Sequence, residues 1–404
     1  MKILFVNHFP LTGSGSGVYT ANLAKSLVRK GNDVAIIFPE NRAEYEKYEN
    51  IKLYPVFFKN KEEIPNVKQL DMNFPCFTTH PRSVFNFRDM TEEQRKKYEE
   101  EFSNKIKEVI KEFKPDVVHA QHVWTLAGIS AECCKQAGIP MIVTCHGTDL
   151  MGIEDEQKRN EKWGSKWAEK AVEYAKDVVT ISKDSNTLIE KIMPKSKGKT
   201  IWIRNGVDSH VFERDPNISK KQVLKDLGIE KDFEKVVSFA GKLTAFKGVD
   251  VLLDAVAKYE KENVLTLISG DGELRGKLEE QAKELKLKNV KFLGNQPQST
   301  LKGIYNIANC SCVPSRREPF GLVAAEAMIC GTPVIATNEG GLPDFVTPDV
   351  VILVNVDDAD ALAKAVTQIL EGEVVFDSKY IADKIKDRYS QDVLINEFIN
   401  LYKK

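Results

Sequence analysis

Three short segments of the chain hold residue types from which a phosphate or sugar site could be built. The first is the turn Thr12 to Val18, which contains Gly15, Ser16 and Gly17 and leads into a helical pattern. Glycine lets a backbone approach a ligand closely, and a helix start carries unpaired N–H groups that attract anions. Its spacing differs from the dinucleotide fingerprint, and glycine often serves turn geometry alone. The turn by itself indicates a phosphate contact only weakly.

The second segment carries two lysines. Gly241, Lys242 and Lys247 follow an apolar run that is typical of a strand, and Gly270 follows the next such run. Ligands of open α/β sheets bind where the strands end, so two ammonium groups in one such loop can converge on a diphosphate. An exposed lysine is more often merely solvated. This interpretation therefore needs support from elsewhere in the chain.

The third segment, Ser315 to Val346, supplies that support. Pro319 and Gly321 mark a turn before an apolar helical run, and Glu326 lies inside that run. A carboxylate buried among apolar residues needs hydrogen-bond donors, and ligand hydroxyl groups are suitable donors. The alternative is an exposed helix position, which would leave Glu326 in water. The segment predicts a site for a hydroxylated ligand.

Histidines at predicted strand ends form another group of candidates. His119 and His122 follow one apolar run, and His146 follows the next, shortly before Asp149. Such a histidine can contact substrate, or it can be a satisfied structural partner. The spacing of His119 and His122 could suit a metal ion, but no matching carboxylates accompany them, so no metal site is predicted.

These residues must be positioned by a regular framework. Apolar runs alternate with helical patterns in both halves of the chain, which predicts parallel βαβ units and two doubly wound sheets in tandem. The predicted strands are 2–7, 33–38, 116–119, 140–145, 177–181 and 200–203, then 235–240, 264–269, 290–293, 310–314 and 333–336; the predicted helices include 18–29, 91–113, 248–259, 273–285, 300–308 and 322–330. The turn Asn205-Gly206 and the polar stretch after it indicate a linker. We predict domains at 1–206 and 207–389.

One region departs from this alternation. Residues 57–90 are rich in aromatic side chains and carry no clear period. A long irregular stretch in a compact domain is often a functional loop. An extended arm packed on its own domain is an equally good interpretation.

Composition excludes several classes of protein. Lysine plus arginine (58) nearly balance aspartate plus glutamate (59), which argues against a nucleic-acid partner. The basic run 183–199 could touch a membrane surface, but a solvated face is the better interpretation. The seven cysteines contain no C-x-x-C pair, so we expect buried, reduced thiols in a cytoplasmic protein. Neither a signal peptide nor an apolar run of roughly 20 residues is present.

The frame from Glu318 to Glu326, with Pro-Phe-Gly-Leu inside it, resembles the signature of the family 4 retaining glycosyltransferases of the GT-B fold. Further similar segments are Gly331 to Ala336, Gly340 to Pro343, Gly241 to Leu243 with Lys247-Gly248, and Asn205 to Asp208. The family usually has arginine at the position of Lys242. The similarity covers nearly the whole chain and is strongest between Ile203 and Phe345.

This resemblance implies two Rossmann-like domains, an acceptor-binding one at 1–206 and a donor-binding one at 207–389, with a cleft between them. The C-terminal helix at 390–404 is then expected to cross back onto the first domain. Glu318 would contact the hydroxyls of the donor sugar, and Glu326 would contact the ribose. The implied donor-binding residues are Gly15, Ser16, Gly17, Gly241, Lys242, Lys247, Gly270, Phe320, Gly321, Leu322, Val323 and Glu326.

In the first half, Gly15 to Val18 and Cys145 to Leu150 resemble a branch that includes N-acetylglucosaminyltransferases acting on malate in bacillithiol synthesis. His146 matches the active-site histidine of the family and is expected, with Glu318, at the reacting centre. His119, His122 and Asp149 are candidates for the acceptor site.

The resulting hypothesis is a retaining, metal-independent transfer of sugar from a nucleoside diphosphate sugar to an acceptor hydroxyl, with no further cofactor. UDP is favoured on family frequency, and GDP and ADP stay open, as do the sugar, the acceptor and the oligomeric state. An epimerase or phosphorylase of the same fold, an NAD-dependent oxidoreductase and a non-catalytic sugar-nucleotide binder are the alternatives. In the oxidoreductase alternative, Glu40 would take the place of the ribose-binding acid.

Overall fold

The structure, a computed structural model, describes residues 1–60, 63–77, 80–345 and 349–404. It forms two compact units: Met1–Arg204 with Ile395–Lys404, and Asn205–Leu394. The division falls at the start of the predicted linker. Val346, the last residue of the predicted donor segment, lies outside the described residues.

The first unit is built on a sheet of eight strands whose neighbours are all parallel. Its strands are β1 (Lys2–Val6), β2 (Asp33–Glu40), β3 (Ile51–Phe58), β4 (Gln69–Leu70), β5 (Val117–Gln121), β6 (Met141–Cys145), β7 (Asp177–Thr180) and β8 (Thr200–Trp202). Their order is β4-β3-β2-β1-β5-β6-β7-β8. Its helices are α1 (Gly15–Arg29), α2 (Glu92–Phe113), α3 (Thr125–Ala137), α4 (Thr148–Lys158), α5 (Trp163–Tyr174) and α6 (Lys183–Ile192).

Helices cover both faces of this sheet. Leu4 and Val6 of β1 share a core cluster with Phe102 of α2, whereas Ile3 shares another with Leu23 of α1. Successive strand side chains point to opposite faces, so a strand covered on both sides is apolar at most of its positions. This is why the strands are continuous apolar runs in the sequence.

The second unit contains a six-stranded parallel sheet of order β11-β10-β9-β12-β13-β14. Its strands are β9 (Lys235–Ala240), β10 (Val264–Ser269), β11 (Val290–Gly294), β12 (Cys310–Val313), β13 (Val334–Thr337) and β14 (Val351–Val354). The remaining helices are α7 (Lys220–Asp226), α8 (Val249–Tyr259), α9 (Arg275–Glu284), α10 (Gln298–Ile307), α11 (Leu322–Ile329), α12 (Ala359–Leu370), α13 (Ser378–Tyr389) and α14 (Gln391–Lys403). The predicted class of two doubly wound α/β sheets is confirmed.

The C-terminal helix α14 returns to the first unit, as predicted. Its residues Ile395, Phe398 and Leu401 belong to the core cluster that contains Ile3 and Phe5. The burial of one apolar face drives this packing.

A buried hydrogen bond joins the end of α14 to the first sheet. His119 accepts or donates through Nδ1 to the hydroxyl of Tyr402 at 2.7 Å and through Nε2 to the hydroxyl of Thr144 at 2.7 Å. His119 is fully buried, and burial lowers its pKa to about 3, so the ring is neutral. His119 lies inside β5, with one ring nitrogen bonded to α14 and the other to β6, which argues against its predicted place in the acceptor site.

We expect Tyr402→Phe to destabilise the first unit by about 1–3 kcal/mol, because one buried nitrogen of His119 loses its partner. Urea unfolding measures this change. Tyr380→Phe is the control, since Tyr380 donates to Asp349 at an exposed site, where the loss should be smaller. Equal effects of the two substitutions would contradict this account of the helix contact.

The aromatic-rich region is more ordered than its sequence pattern indicates. Its first two residues, Phe57 and Phe58, end strand β3, which the sequence analysis did not identify, and β4 lies within it. Residues 61, 62, 78 and 79 lie outside the described part. Phe74 is fully buried, and the Ser83 hydroxyl donates to its carbonyl oxygen at 2.7 Å. These described parts of 57–90 form a packed arm on the first unit.

Two findings complete the description. All seven cysteines are buried, as expected. Within the described ranges, no helix is both long enough and apolar enough to pass through a membrane.

Candidate functional site

Each sheet has one point where the strand order reverses. In the first unit this point lies between β1 and β5, and in the second it lies between β9 and β12. Neighbouring crossover helices leave on opposite faces there, which opens a crevice at the carboxyl ends of the strands where ligands of such folds bind. The loops after these four strands carry most of the predicted site residues.

In the second unit, glycines bring these loops together backbone to backbone. A Cβ atom on Gly270 would lie 1.8 Å from the carbonyl oxygen of Gly241, and one on Gly248 would lie 2.0 Å from that of Pro314. Gly340 is equally close to the carbonyl oxygen of Glu318, at 2.1 Å. Larger residues would force these loops apart. Gly241 and Gly270 thus have a packing reason for being glycine, and their ligand contact stays a prediction.

The predicted Lys247 and Glu318 meet in this crevice. Lys247 Nζ donates to Glu318 Oε2 at 2.5 Å, and the Ser315 hydroxyl donates to the same oxygen at 3.2 Å. Glu318 is 7% exposed, so its charge is balanced by this ion pair rather than by water. Lys242 is half-buried in the same loop. In the structure, Lys247 and Glu318 are therefore in contact with each other. The sequence analysis predicted that Lys247 contacts the diphosphate of the donor and that Glu318 contacts its sugar.

The start of α11 lies at the same edge of the sheet. Gly321 precedes it with φ 96°, a left-handed conformation that favours glycine, and offers no capping side chain. Among the described residues, the N–H groups of Leu322 and Val323 have no acceptor, so they can bind an anion. Phe320, by contrast, is 3% exposed. Its ring packs inside the protein against Tyr389, so its predicted donor contact stays a prediction for the backbone at the turn.

Glu326 points from α11 with little to stabilise its charge. It is 8% exposed, and its one hydrogen bond within the described residues comes from the Tyr305 hydroxyl at 3.4 Å, near the limit for such a bond. Burial raises its pKa to about 8. The exposed helix position considered from the sequence is excluded. A ligand diol would supply the hydrogen-bond donors that this buried carboxylate lacks.

In the first unit, part of the glycine turn at residues 12–18 packs against neighbouring residues of the same segment. Ser14 caps α1, and its hydroxyl accepts from the N–H of Gly17 at 3.1 Å. A Cβ atom on Gly17 would lie 2.1 Å from the carbonyl oxygen of Pro10, while one on Gly15 would meet nothing within 4 Å. Gly17 thus has a packing reason for being glycine, and its ligand contact stays a prediction. Gly15 has open space around it, and Gly15 and Ser16 stay candidates.

His146 follows β6 in a rigid setting. Its Nε2 lies 2.8 Å from Gln121 Oε1, which fixes the proton on Nε2 and leaves Nδ1 as an acceptor without a partner among the described residues. Burial lowers the pKa of His146 to about 3, so the ring is neutral at physiological pH.

Asp149 holds this loop in place. Its carboxylate accepts from the backbone N–H groups of Val123 at 2.7 Å, Leu150 at 3.1 Å and His146 at 3.3 Å. It is fully buried, so every oxygen faces protein. The predicted acceptor contact of Asp149 is corrected to a positioning role that joins the loops after β5 and β6.

His122 follows β5 and is the most unusual of the predicted residues. Its φ is 71°, a left-handed conformation that is strained for a residue with a Cβ. It is 1% exposed, yet neither ring nitrogen has a hydrogen-bond partner among the described residues. Its ring centroid lies 4.6 Å from that of His146.

Sequence analysis missed three residues near this point. His8 follows β1 and accepts from the N–H of Leu126 at the start of α3 at 3.3 Å. Tyr19 of α1 places its ring 5.2 Å from that of His146, and Gln121 ends β5. Their positions in the sequence could have identified two of them, because His8 follows β1 and Gln121 ends β5, the two strands at the reversal point.

The contacts of Glu40 argue against the oxidoreductase alternative. Glu40 is 2% exposed and is held by an ion pair with Arg82 and by the N–H of Asn41 at 2.9 Å, so it is not available to a ribose as the oxidoreductase alternative requires. Within the described ranges, no three histidine, cysteine, aspartate or glutamate side chains are grouped as metal ligands.

Comparison with known proteins places this geometry in a family context. The model "Glycosyltransferase Family 4" matches residues 13–211, and "Glycosyl transferases group 1" matches residues 220–387. Both describe glycosyltransferases, so the epimerase and oxidoreductase alternatives are not favoured.

Three similar proteins illustrate the match. An uncharacterized glycosyltransferase of Methanocaldococcus jannaschii, MJ1607, is 29% identical over 100% of this chain and 98% of its own. The N-acetyl-alpha-D-glucosaminyl L-malate synthase of Bacillus anthracis is 25% identical over 98% of this chain and 94% of its own. The structure of Anabaena HepE in complex with UDP-glucose aligns with a TM-score of 0.72 at 19% identity, covering 100% of this chain and 99% of that one. This last likeness concerns the fold.

Proposed function

Because the chain belongs to the family 4 glycosyltransferases of the GT-B fold, we propose that it moves a sugar from a UDP-sugar to an acceptor hydroxyl, with retention of configuration and without a metal ion. The observation that carries the donor site is the arrangement at the β9–β12 reversal point. There, Lys247, the free N–H groups at the start of α11 and the buried Glu326 occupy one edge of the sheet. A nucleoside diphosphate offers the matching groups: negative phosphates and a ribose diol.

The leaving diphosphate is the group that must be stabilised. When the bond between the anomeric carbon and the phosphate oxygen breaks, negative charge grows on that oxygen. Lys247, Lys242 and the N–H groups of Leu322 and Val323 supply positive charge in fixed positions. Lys247 is paired with Glu318 in the free protein. A bound diphosphate would compete for Lys247 and release Glu318 to accept from sugar hydroxyls.

His146 has a defined part in this scheme. A histidine whose pKa is about 3 is a poor proton acceptor at neutral pH. It acts instead as a neutral hydrogen-bonding group near the anomeric carbon. The proton of the acceptor hydroxyl passes to the departing phosphate oxygen as the new carbon–oxygen bond forms on the same face.

UDP is preferred as the carrier on family frequency and on the likeness in fold to a protein that binds UDP-glucose. Thermal-shift measurements with UDP, GDP and ADP and with their glucose conjugates test the proposal. A ligand at about 100 times its Kd should stabilise the protein by roughly 2.7 kcal/mol. UDP should raise Tm most, and the rise should vanish in Glu326→Ala.

Three outcomes would contradict parts of this proposal. No shift with any nucleotide would remove the donor site altogether. A shift with NAD that survives Glu326→Ala would favour an oxidoreductase. Transfer that stops after chelation with EDTA and returns with a divalent cation would overturn metal independence.

A further inference from the structure

Four uncharged polar side chains meet at the carboxyl edge of the first sheet. The ring of His146 lies 4.6 Å from that of His122 and 5.2 Å from that of Tyr19, and its Nε2 lies 2.8 Å from Gln121 Oε1. We call Tyr19, Gln121, His122 and His146 the neutral cluster. They come from α1 and from the loops after β5 and β6, so this cluster lies at the β1–β5 reversal point.

The neutral cluster holds more hydrogen-bonding capacity than the protein uses. The hydroxyl of Tyr19, Nε2 of Gln121 and both ring nitrogens of His122 are buried without a partner among the described residues. Native proteins leave few buried polar atoms unsatisfied, because each costs stability. Four such atoms on three neighbouring side chains indicate that a ligand supplies the missing partners.

The backbone supports the same conclusion. His122 adopts φ 71°, and its loop is held there by Asp149, which accepts from the next residue, Val123, at 2.7 Å. Strained conformations of this kind persist where the surroundings enforce them, and they are concentrated at functional sites. The strained backbone holds an imidazole whose ring nitrogens have no partner at hydrogen-bond distance among the described residues.

An aromatic wall borders the neutral cluster. The ring of Phe77 lies 5.6 Å from that of His122, and the ring of Phe9 lies 5.3 Å from it. Phe77 is half-buried and belongs to the packed arm of residues 57–90. Aromatic faces beside a few fixed polar groups are the usual lining of a small-molecule site.

Charged groups of the first unit near this edge have partners within the protein. The carboxylate of Asp149 lies beside His146 in the chain, and its oxygens accept from backbone N–H groups. The guanidinium groups of Arg82, in the arm, and of Arg42 share the buried carboxylate of Glu40, and Nη2 of Arg82 has no partner among the described residues. Neither guanidinium group contributes to the pKa shifts of the titratable side chains in the neutral cluster.

The titration behaviour agrees with an uncharged site. Burial alone accounts for the lowered pKa of His146 and for the raised pKa of Tyr19. The pKa of His122 is lowered by burial and by the neighbouring imidazoles. No carboxylate or ammonium group among the described residues contributes to these shifts.

We propose that the neutral cluster binds the acceptor, and that the acceptor is an uncharged sugar or polyol rather than a carboxylate or a phosphate. Hydroxyl groups both donate and accept, so they match the hydroxyl of Tyr19, the amide of Gln121 and the imidazole of His122. Phe77 and Phe9 pack against the C–H face of the ring. This inference rests on the proposed sugar transfer and adds the class of acceptor.

Tyr19→Phe tests the proposal most directly, since it removes one hydroxyl that has no protein partner. The acceptor panel consists of matched pairs: glucose and glucose 6-phosphate, myo-inositol and inositol phosphate, and L-malate as a plain dicarboxylate. With UDP-glucose as donor, we expect transfer to an uncharged member. The KM for that acceptor should rise roughly 3- to 10-fold in Tyr19→Phe, the loss of one hydrogen bond.

Two readouts separate this from a structural effect. Tm of Tyr19→Phe should be unchanged or higher, because no hydrogen bond within the protein is lost. Slow hydrolysis of UDP-glucose without acceptor should fall less than transfer does, which distinguishes the acceptor from the sugar of the donor. Tyr174→Phe is the matched control: it loses a bond to the carbonyl oxygen of Ile139 at 2.8 Å, so it should lower Tm and leave KM as it is.

A second variant, His122→Asn, tests the proposal independently if Tyr19→Phe does not change KM for the acceptor. Asparagine tolerates a left-handed backbone, so His122→Asn should fold, and its shorter side chain should raise KM for the acceptor in the same way. An unchanged KM in both variants overturns the proposal, as does equal loss of donor hydrolysis. Transfer only to phosphorylated sugars or to malate overturns the acceptor class while sugar transfer itself stands. If neither hydrolysis nor transfer occurs with any nucleotide sugar, the proposed function fails first.

Discussion

Replacing Lys247 with methionine should lower kcat for sugar transfer by roughly 10²- to 10³-fold, the usual cost of removing one preorganised charge-stabilising group. Methionine keeps a flexible stem of similar reach but carries no ammonium. In the free protein Lys247 Nζ donates to Glu318 Oε2 at 2.5 Å. On donor binding it is expected to face the diphosphate, where its charge matters most as the leaving oxygen becomes negative. Steady-state kinetics with saturating donor measure the effect.

Loss of Lys247 also leaves Glu318 with the Ser315 hydroxyl as its remaining side-chain partner. The substitution will therefore cost stability as well, and a melting curve must show that the variant is folded at the assay temperature. Lys258→Met is the matched control, because Lys258 is paired with Asp360 on the surface of the same unit. It should leave kcat unchanged. A folded Lys247→Met variant with normal kcat would contradict the role of Lys247 in stabilising the leaving group.

The second large effect concerns pH. The pKa of Glu326 is raised by burial to about 8, whereas an unfolded glutamate titrates near about 4.3. Between these values the folded carboxyl group keeps a proton that the unfolded chain has released. The folded state binds more protons, so the free energy of unfolding of the ligand-free protein should fall as pH rises across this window, by up to about 1.4 kcal/mol per pH unit from this group. Urea unfolding of wild type and Glu326→Gln at pH 5 to 9 isolates the contribution.

The same proton should be visible in ligand binding. Ribose hydroxyls donate to the ionised carboxylate, so binding requires the charged form, and nucleotide affinity should rise with pH up to about 8 by as much as tenfold per unit. In Glu326→Gln the affinity should be weaker and free of this slope. Calorimetry on both proteins removes the contribution from the titration of the nucleotide itself. Parallel pH profiles for the two proteins would show that Glu326 does not contact the ligand.

Parts of the fold could be predicted from short stretches of the sequence. Continuous apolar runs such as Val264 to Ser269 predicted buried strands correctly, since a sheet covered on both faces needs apolar residues at most of its positions. Strand β3 was missed because Pro55 interrupts its pattern, and proline is usually confined to strand edges. In the fold, β4 pairs only with Phe57 and Phe58, so Pro55 lies where the strand has no partner on that side.

The roles of the histidines in the first unit could not be predicted from short stretches of sequence. His119, His122 and His146 are the same residue type at similar strand ends. The family resemblance set His146 apart, but the sequence offered no way to rank His119 against His122. The structure separates them by their partners. His119 is bonded to Tyr402 and Thr144, His146 to Gln121, and His122 to nothing among the described residues.

By itself the sequence determined the α/β alternation, the place of the linker and the motif from Glu318 to Glu326, because each depends on residues close together in the chain. Tertiary structure alone decided which side chains meet. Lys247 and Glu318 are 71 positions apart, and His119 and Tyr402 are 283 apart. Burial, charge balance and pKa depend on such distant pairs, since they follow from the neighbours that folding brings into contact. For this reason Glu326 is proposed as a ligand contact, and Asp149 is proposed as a positioning residue.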